Sequence, residues 1–330
     1  MVDPILSVRD LRTQFFGPEG VVRAVDGVDF DVFEGRTLGV VGESGCGKSV
    51  TARSILRIVD RPGKVVGGSV MLRKADGSTV DLAGLTEKGM RAIRGPEIAL
   101  VFQEPMASFS QHYTVGNQIM EGVRLHMGLD KHAARKRAID LLDMVGVPQP
   151  SRRIDEYPFQ LSGGLRQRVM IAMALACDPR VLIADEPTTA LDVTTQAQIL
   201  DLLRQLQAER GLAIILITHD MGVIAEMAHD VSVMYLGRAV ESGSVTDIFD
   251  RPQHPYTAAL LRSIPTVMAK PRTRLPTIVG SIPHPFDRPA GCAFNPRCAD
   301  IINGVCDVAE PPPTNAGNRQ VRCFLYGDRP

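Results

Sequence analysis

The stretch GESGCGKS, residues 42–49, follows the apolar run TLGVV and leads straight into SVTARSILRIV, a helical pattern. No other feature constrains the fold as much. A glycine-rich turn between a buried strand and a helix aims several backbone N–H groups at one point, where a helix N-terminus adds positive potential. The spacing fits G-x-x-x-x-G-K-[ST], a phosphate loop. Gly42, Glu43, Ser44, Gly45, Cys46, Gly47 and the helix-opening Val50 are the expected nucleotide contacts. Lys48 offers a point charge to the outer phosphates, and the Ser49 hydroxyl is a ligand for Mg2+.

Three more runs, IALVF, VLIADE and AIILITHD, are continuously apolar, as strands covered on both faces of a parallel sheet must be. Helical patterns separate them, so the core is α/β. From Ile5 to about Phe33, short alternations read as antiparallel strands. Between Pro105 and Asp178 the pattern is helical, an insertion into the sheet. Near Val245 the texture changes, and prolines recur from Pro252 to Pro313 with little periodicity. The expected domains are residues 1–245, with a helical subdomain at about 105–178, and a small irregular C-terminal unit at 246–330.

Lys plus Arg balances Asp plus Glu at 37 each, so no excess charge draws the chain to nucleic acid or anionic lipid. The start, MVDPILSVRD, lacks the basic and apolar regions of a secretory signal, and the protein is expected to stay inside the cell. Runs such as LAIILIT are far shorter than the roughly 18 residues a spanning helix requires.

Asp185 and Glu186 end one strand, Gln103 follows another and His219 a third, which places all of them at the ligand-binding edge of an open α/β sheet. Asp185 suits a magnesium-bound water, and Glu186 suits orienting or deprotonating the attacking water. LSGGLRQR, residues 161–168, is harder to place: Ser162, Gly163 and Gly164 form a second anion cradle in a chain that already has one.

Together GESGCGKS, Gln103, LSGGLRQR, VLIADE, the ALD of residues 190–192 and His219 stand in the order of an ATP-binding cassette (ABC) protein, which the chain resembles over about residues 5–245. The resemblance implies a RecA-like P-loop NTPase core with an antiparallel β-subdomain and a helical insertion. It also accounts for the second cradle. Two cassettes pack head to tail, and each ATP lies between the phosphate loop of one and the Ser162, Gly163 and Gly164 segment of the other. By the same resemblance Glu186, His219, Gln103 and Lys48 form the catalytic set, with His219 on the γ-phosphate and Gln103 sensing both magnesium and the membrane partner. Asp192 lies at the dimer contact. Phe15 resembles the aromatic that stacks on adenine, with Phe16 as the neighbouring candidate. Leu165 departs from the usual Gln of the signature.

The tail narrows the family. RPQHPYTAALLRSIP, residues 251–265, followed by GCAFNPRC, resembles the C-terminal region of oligopeptide and dipeptide importer ATPases, as does QEPMASF. Its usual Leu-Asn-Pro is here Phe109-Ser110-Gln111. The implied protein is the ATPase subunit of an importer on the cytoplasmic face of the inner membrane, docking through residues 104–109 on two permease subunits. A second ATP-binding subunit, similar or identical, and an extracytoplasmic solute-binding protein complete the system.

Cys292, Cys298, Cys306 and Cys323 have five, seven and sixteen residues between them and no C-x-x-C knuckle. The resemblance and an irregular loop of four thiolates lead us to expect a 4Fe-4S cluster, with zinc second and four reduced thiols in a hydrophobic knot third. A soluble ABC ATPase acting on nucleic acid or ribosomes would carry a long coiled coil, a second cassette or basic stretches, none of which appears. The importer-like tail disfavours an exporter.

Overall fold

A computed structural model describes residues 3–189, 191–264, 278–317 and 319–328. Ala190, the first residue of the ALD motif, lies outside the described residues. The strands are β1 (Leu6–Gly17), β2 (Gly20–Val32), β3 (Thr37–Val41), β4 (Gly63–Arg73), β5 (Thr79–Asp81), β6 (Ile98–Val101), β7 (Val181–Asp185), β8 (Ala213–Ile217), β9 (Asp230–Tyr235), β10 (Arg238–Ser244), β11 (Thr314–Ala316) and β12 (Arg319–Val321). The helices are α1 (Lys48–Ile55), α2 (Glu87–Ile93), α3 (Pro105–Ser108), α4 (Val115–Met127), α5 (Lys131–Met144), α6 (Pro150–Arg153), α7 (Gly163–Ala174), α8 (Val193–Arg210), α9 (Met221–Met227), α10 (Val245–Asp250) and α11 (Pro255–Arg262). The chain divides into two compact units, one of residues 1–6, 32–36 and 71–217, the other of 7–31, 37–70 and 218–330.

In the first unit β6, β7 and β8 are parallel neighbours, with β7 in the middle. Every residue of β7 and β8 is buried, which is why both read as unbroken apolar runs. The inserted helices bury one stripe each: Val115, Ile119, Met120 and Val123 on α4, and Ala134, Ala138, Leu141 and Leu142 on α5. Thr114, Asp130 and Ser162 accept N–H bonds as N-caps of α4, α5 and α7, and Gly211 ends α8 in the left-handed conformation. These caps fix where each helix begins and so where its first residues face.

In the second unit β3 pairs parallel with β9, and β9 turns back on β10 through Leu236 and Gly237, at φ 42° and 80°. The tail is less irregular than its composition suggests. β12 pairs antiparallel with β10, aligning Val321 with Glu241, and β11 pairs with β12. Strands of three residues are too short to leave a period in the sequence.

The tail cysteines correct the iron–sulfur expectation. Among the described residues no group of three or more His, Cys, Asp or Glu side chains is arranged to hold a metal ion. Cys292, Cys298, Cys306 and Cys323 do border one cavity, with Phe294 and Phe324, but its volume is about 10 Å3, about enough for a single water. A 4Fe-4S cluster does not fit there. Burial pushes the Cys292 and Cys323 thiols up to about 11. All four are free thiols, Cys306 and Cys323 buried and Cys292 and Cys298 half-buried.

Candidate functional site

The phosphate loop leaves β3 at Gly42 and enters α1 at Lys48. Gly47 caps the helix at φ 103°, and a Cβ there would sit 2.2 Å from the Ala24 carbonyl oxygen. Only glycine passes this point. Lys48 is buried and folds back over the loop, donating to the Gly42 carbonyl at 2.7 Å and the Glu43 carbonyl at 3.1 Å. Its ammonium is thus held over the turn by two backbone dipoles. The Cys46 sulfur lies 3.8 Å from it; burial raises that thiol's pKa, against the pull of the Lys48 charge. Beside Gly45 a cavity of about 430 Å3 is walled by Val22, Ala24, Gly237, Phe286 and Arg288.

Glu43 behaves differently from the other loop residues. Its N–H donates to the Tyr256 hydroxyl at 2.8 Å, and its carboxylate accepts both arms of Arg297 at 2.7 and 2.9 Å. Sequence reasoning missed Tyr256 and Arg297, which lie more than two hundred residues away. Phe15 turns towards Gly63, whose added Cβ would meet its ring at 2.7 Å, whereas Phe16 is exposed with the Lys64 ammonium 5.8 Å from its ring centre. His219 is exposed, just before α9, whose N-cap Asp220 accepts from the Gly222 and Val223 amides.

In the first unit the parallel register does the positioning. Val101 lies opposite Ala184, so Gln103 and Glu186, each two residues further on, emerge side by side. The Gln103 amide donates to Glu186 Oε2 at 3.0 Å, and the Thr189 hydroxyl donates to the same oxygen at 2.8 Å. Glu186 is at φ 47°, a left-handed conformation uncommon for a residue with a side chain, and its N–H bonds the Ile217 carbonyl. Asp185, the last residue of β7, is 3% exposed. Thr189 went unread because a hydroxyl three residues downstream has no motif of its own.

The signature segment opens α7. Ser162 is exposed and its hydroxyl accepts the Leu165 N–H at 3.4 Å. A side chain at Gly163 would meet nothing within 4 Å, but one at Gly164 would strike the Thr195 methyl at 2.8 Å. Thr195 in turn donates its N–H and its hydroxyl to Asp192, at 2.9 and 2.7 Å. Those bonds hold the exposed Asp192 carboxyl below its ordinary range. Gly164 therefore belongs to internal packing and Gly163 to an open face, while one threonine ties the α7 start to the α8 start.

Residues 25–189 match the ABC transporter family, and residues 240–306 match the oligopeptide/dipeptide transporter C-terminal region. A putative peptide import ATP-binding protein of Brucella melitensis is 51% identical over 315 residues, covering 94% of this chain and 93% of the relative. Another from Brucella abortus is 51% identical over 320 residues, covering 97% and 94%. Among solved structures, a dimeric ATP-binding cassette in a post-hydrolysis state bound to ADP and phosphate aligns with a TM-score of 0.64 and 27% identity, over 73% of this chain and 98% of that one. The cbiO1 protein of Clostridium perfringens, part of an ABC transporter complex, aligns at 0.62 and 29%, over 76% and 92%. With its phosphate loop, strand-end carboxylates and capped signature helix so arranged, the chain belongs to the ABC transporter family.

Proposed function

We propose that this protein is the ATP-hydrolysing subunit of an importer for peptides or similar small solutes. The observation that carries the reading is the pair of matched regions, a cassette followed by the oligopeptide/dipeptide C-terminal region, in a chain 51% identical to peptide import ATP-binding proteins over nearly its full length. The loop of Gly42, Glu43, Ser44, Gly45, Cys46, Gly47, Lys48, Ser49 and Val50 holds the phosphates of ATP, and Phe15 stacks on the adenine. Ser49, Gln103 and Asp185 offer the hard oxygen donors that suit the accompanying Mg2+. Glu186 takes the proton of the attacking water, and His219 contacts the γ-phosphate. The open Ser162–Gly163–Gly164 face and Asp192 serve the nucleotide of a second cassette. ATP then joins two subunits, and its hydrolysis removes the contact that favours the closed pair.

Solute passes through separate permease subunits, a reading supported by the match to the oligopeptide/dipeptide transporter C-terminal region; among the described residues no helix is long and apolar enough to cross a membrane. Residues 104–109, with Met106 exposed, are the proposed docking segment, at the cytoplasmic face of the inner membrane. An extracytoplasmic solute-binding protein delivers the cargo. The domain reading, a cassette over 1–245 and an extension over 246–330, is supported by the separate matches at 25–189 and 240–306. Reconstitution of the full complex in vesicles tests the proposal. Labelled peptide is expected to accumulate only with ATP, and Glu186→Gln is expected to stop uptake; ATP hydrolysis indifferent to peptide and binding protein would refute it.

A further inference from the structure

Residue Glu43 of the phosphate loop is committed on three sides. Its carbonyl accepts from Lys48, its N–H donates to Tyr256, and its carboxylate takes the fork of Arg297. Two of these three partners, Tyr256 and Arg297, lie in the C-terminal region, outside the residues matched to the ABC transporter family. Arg297 is itself set firmly. It is 4% exposed on its side chain, donates from Nε to the Val279 carbonyl at 3.1 Å and from Nη1 to the Tyr235 hydroxyl at 3.3 Å, and lies 5.8 and 5.9 Å from the ring centres of Tyr235 and Phe294. Tyr256 is fully buried, in contact with Tyr235 and Phe294 at centroid distances of 4.7 and 5.3 Å. Phe294 and Cys298 in turn border the cavity of the four thiols.

We infer that Arg297 is a positioning residue for ATP binding: from the C-terminal region it fixes Glu43, and through the Glu43 carbonyl it sets where the Lys48 ammonium rests. A bidentate guanidinium–carboxylate pair fixes direction as well as distance, which a lysine in its place cannot do. With the pair intact, the Glu43 amide stays turned to Tyr256 and the remaining loop amides keep one conformation. Without it, the loop samples others, and each ATP bound must first reorder it. The acidic residue at position 43 is then explained by its partner rather than by the phosphates, which a carboxylate would repel.

The inference rests on the reading that residues 42–49 hold the phosphates of ATP, and the test separates the two. The full-length chain is titrated with a fluorescent ATP analogue as wild type, Lys48→Ala, Arg297→Ala, Arg297→Lys and the exchange Glu43→Arg with Arg297→Glu, each checked for folding by circular dichroism. Lys48→Ala is expected to lose binding; retention would overturn the phosphate-loop reading and the inference with it. Arg297→Ala is expected to weaken binding about tenfold, Arg297→Lys by less, and the exchange to recover most of the loss. A purely structural role would lower thermal stability but leave the affinity of the folded protein unchanged. Wild-type affinity in a folded Arg297→Ala, or in Arg297→Lys should the alanine variant not fold, overturns the inference, as does an exchange variant no tighter than Arg297→Ala.

Discussion

Glu186 is the side chain to which the proposed hydrolysis assigns the attacking water. One of its oxygens is held by Gln103 and Thr189, and its backbone takes a left-handed conformation that the Ile217 carbonyl helps to fix. Glu186→Gln keeps the size and removes the basicity. Hydrolysis is expected to fall by about 10²- to 10⁴-fold, while ATP affinity changes little; phosphate release and nucleotide titration measure the two. The placement of Glu186, Gln103 and Lys48 at strand ends and in the loop was legible in the sequence, because each sits within a residue or two of an unmistakable strand or loop. Arg297 was not. Its bond to Glu43 spans 254 positions, and neither periodicity nor local spacing records a contact of that range.

At the scale of elements, the β10–β12 pairing and α11 bind the C-terminal region into the sheet, and its buried titratable groups set its pH range. His254 caps α11, and both its ring and the Gln253–His254 backbone are enclosed: its Nδ1 accepts the Tyr256 N–H, and the Glu241 carboxylate accepts the Gln253 and His254 amides. Burial drives the His254 pKa from 6.5 to about 3, against a hydrogen bond to the Arg322 backbone that works to raise it. The unfolded chain therefore takes up a proton first, and stability present above 6.5 is lost as pH falls towards 3. Cys292 and Cys323 act at the other end. Burial raises them from 9.0 to about 11, so their contribution is present below 9 and is lost as pH rises towards 11. Stability is expected to be flat between these limits and to decline outside them by up to about 1.4 kcal/mol per pH unit for each group. Hydrogen exchange of the α11 amides against pH measures it, and a decline beginning at pH 8 would contradict it. The tail strands and the size of the thiol cavity were hidden from the sequence for a common reason. Spacing counts cysteines and prolines but says nothing about the room left between them.

For the whole molecule, the proposed function assigns the phosphate loop and the signature face to different nucleotides. Gly163 is open where Gly164 is packed, and Thr195 joins that helix start to Asp192. A hydrolysis-deficient Glu186→Gln protein, saturated with ATP and supplied with its natural companions, is expected to form a cassette dimer by size-exclusion chromatography with light scattering, and Ser162→Arg to prevent it. A persistently monomeric cassette would end the two-sided reading. The core α/β pattern and the helical insertion were visible in advance, because apolar runs and their periodicity are local statements.

The alignment of Val101 with Ala184 also bears on how such a chain can change over evolutionary time. Because Gln103 and Glu186 meet only by being equally far past that rung, the number of residues in each exit is as restricted as their identity. One amino acid inserted after Val101 would leave both side chains in the gene and yet part the amide from the carboxylate. An insertion or deletion at this sheet edge is therefore expected to disturb the pair more than an exchange of one neighbouring residue for another, and the spacing from the rung matters as much as any single letter.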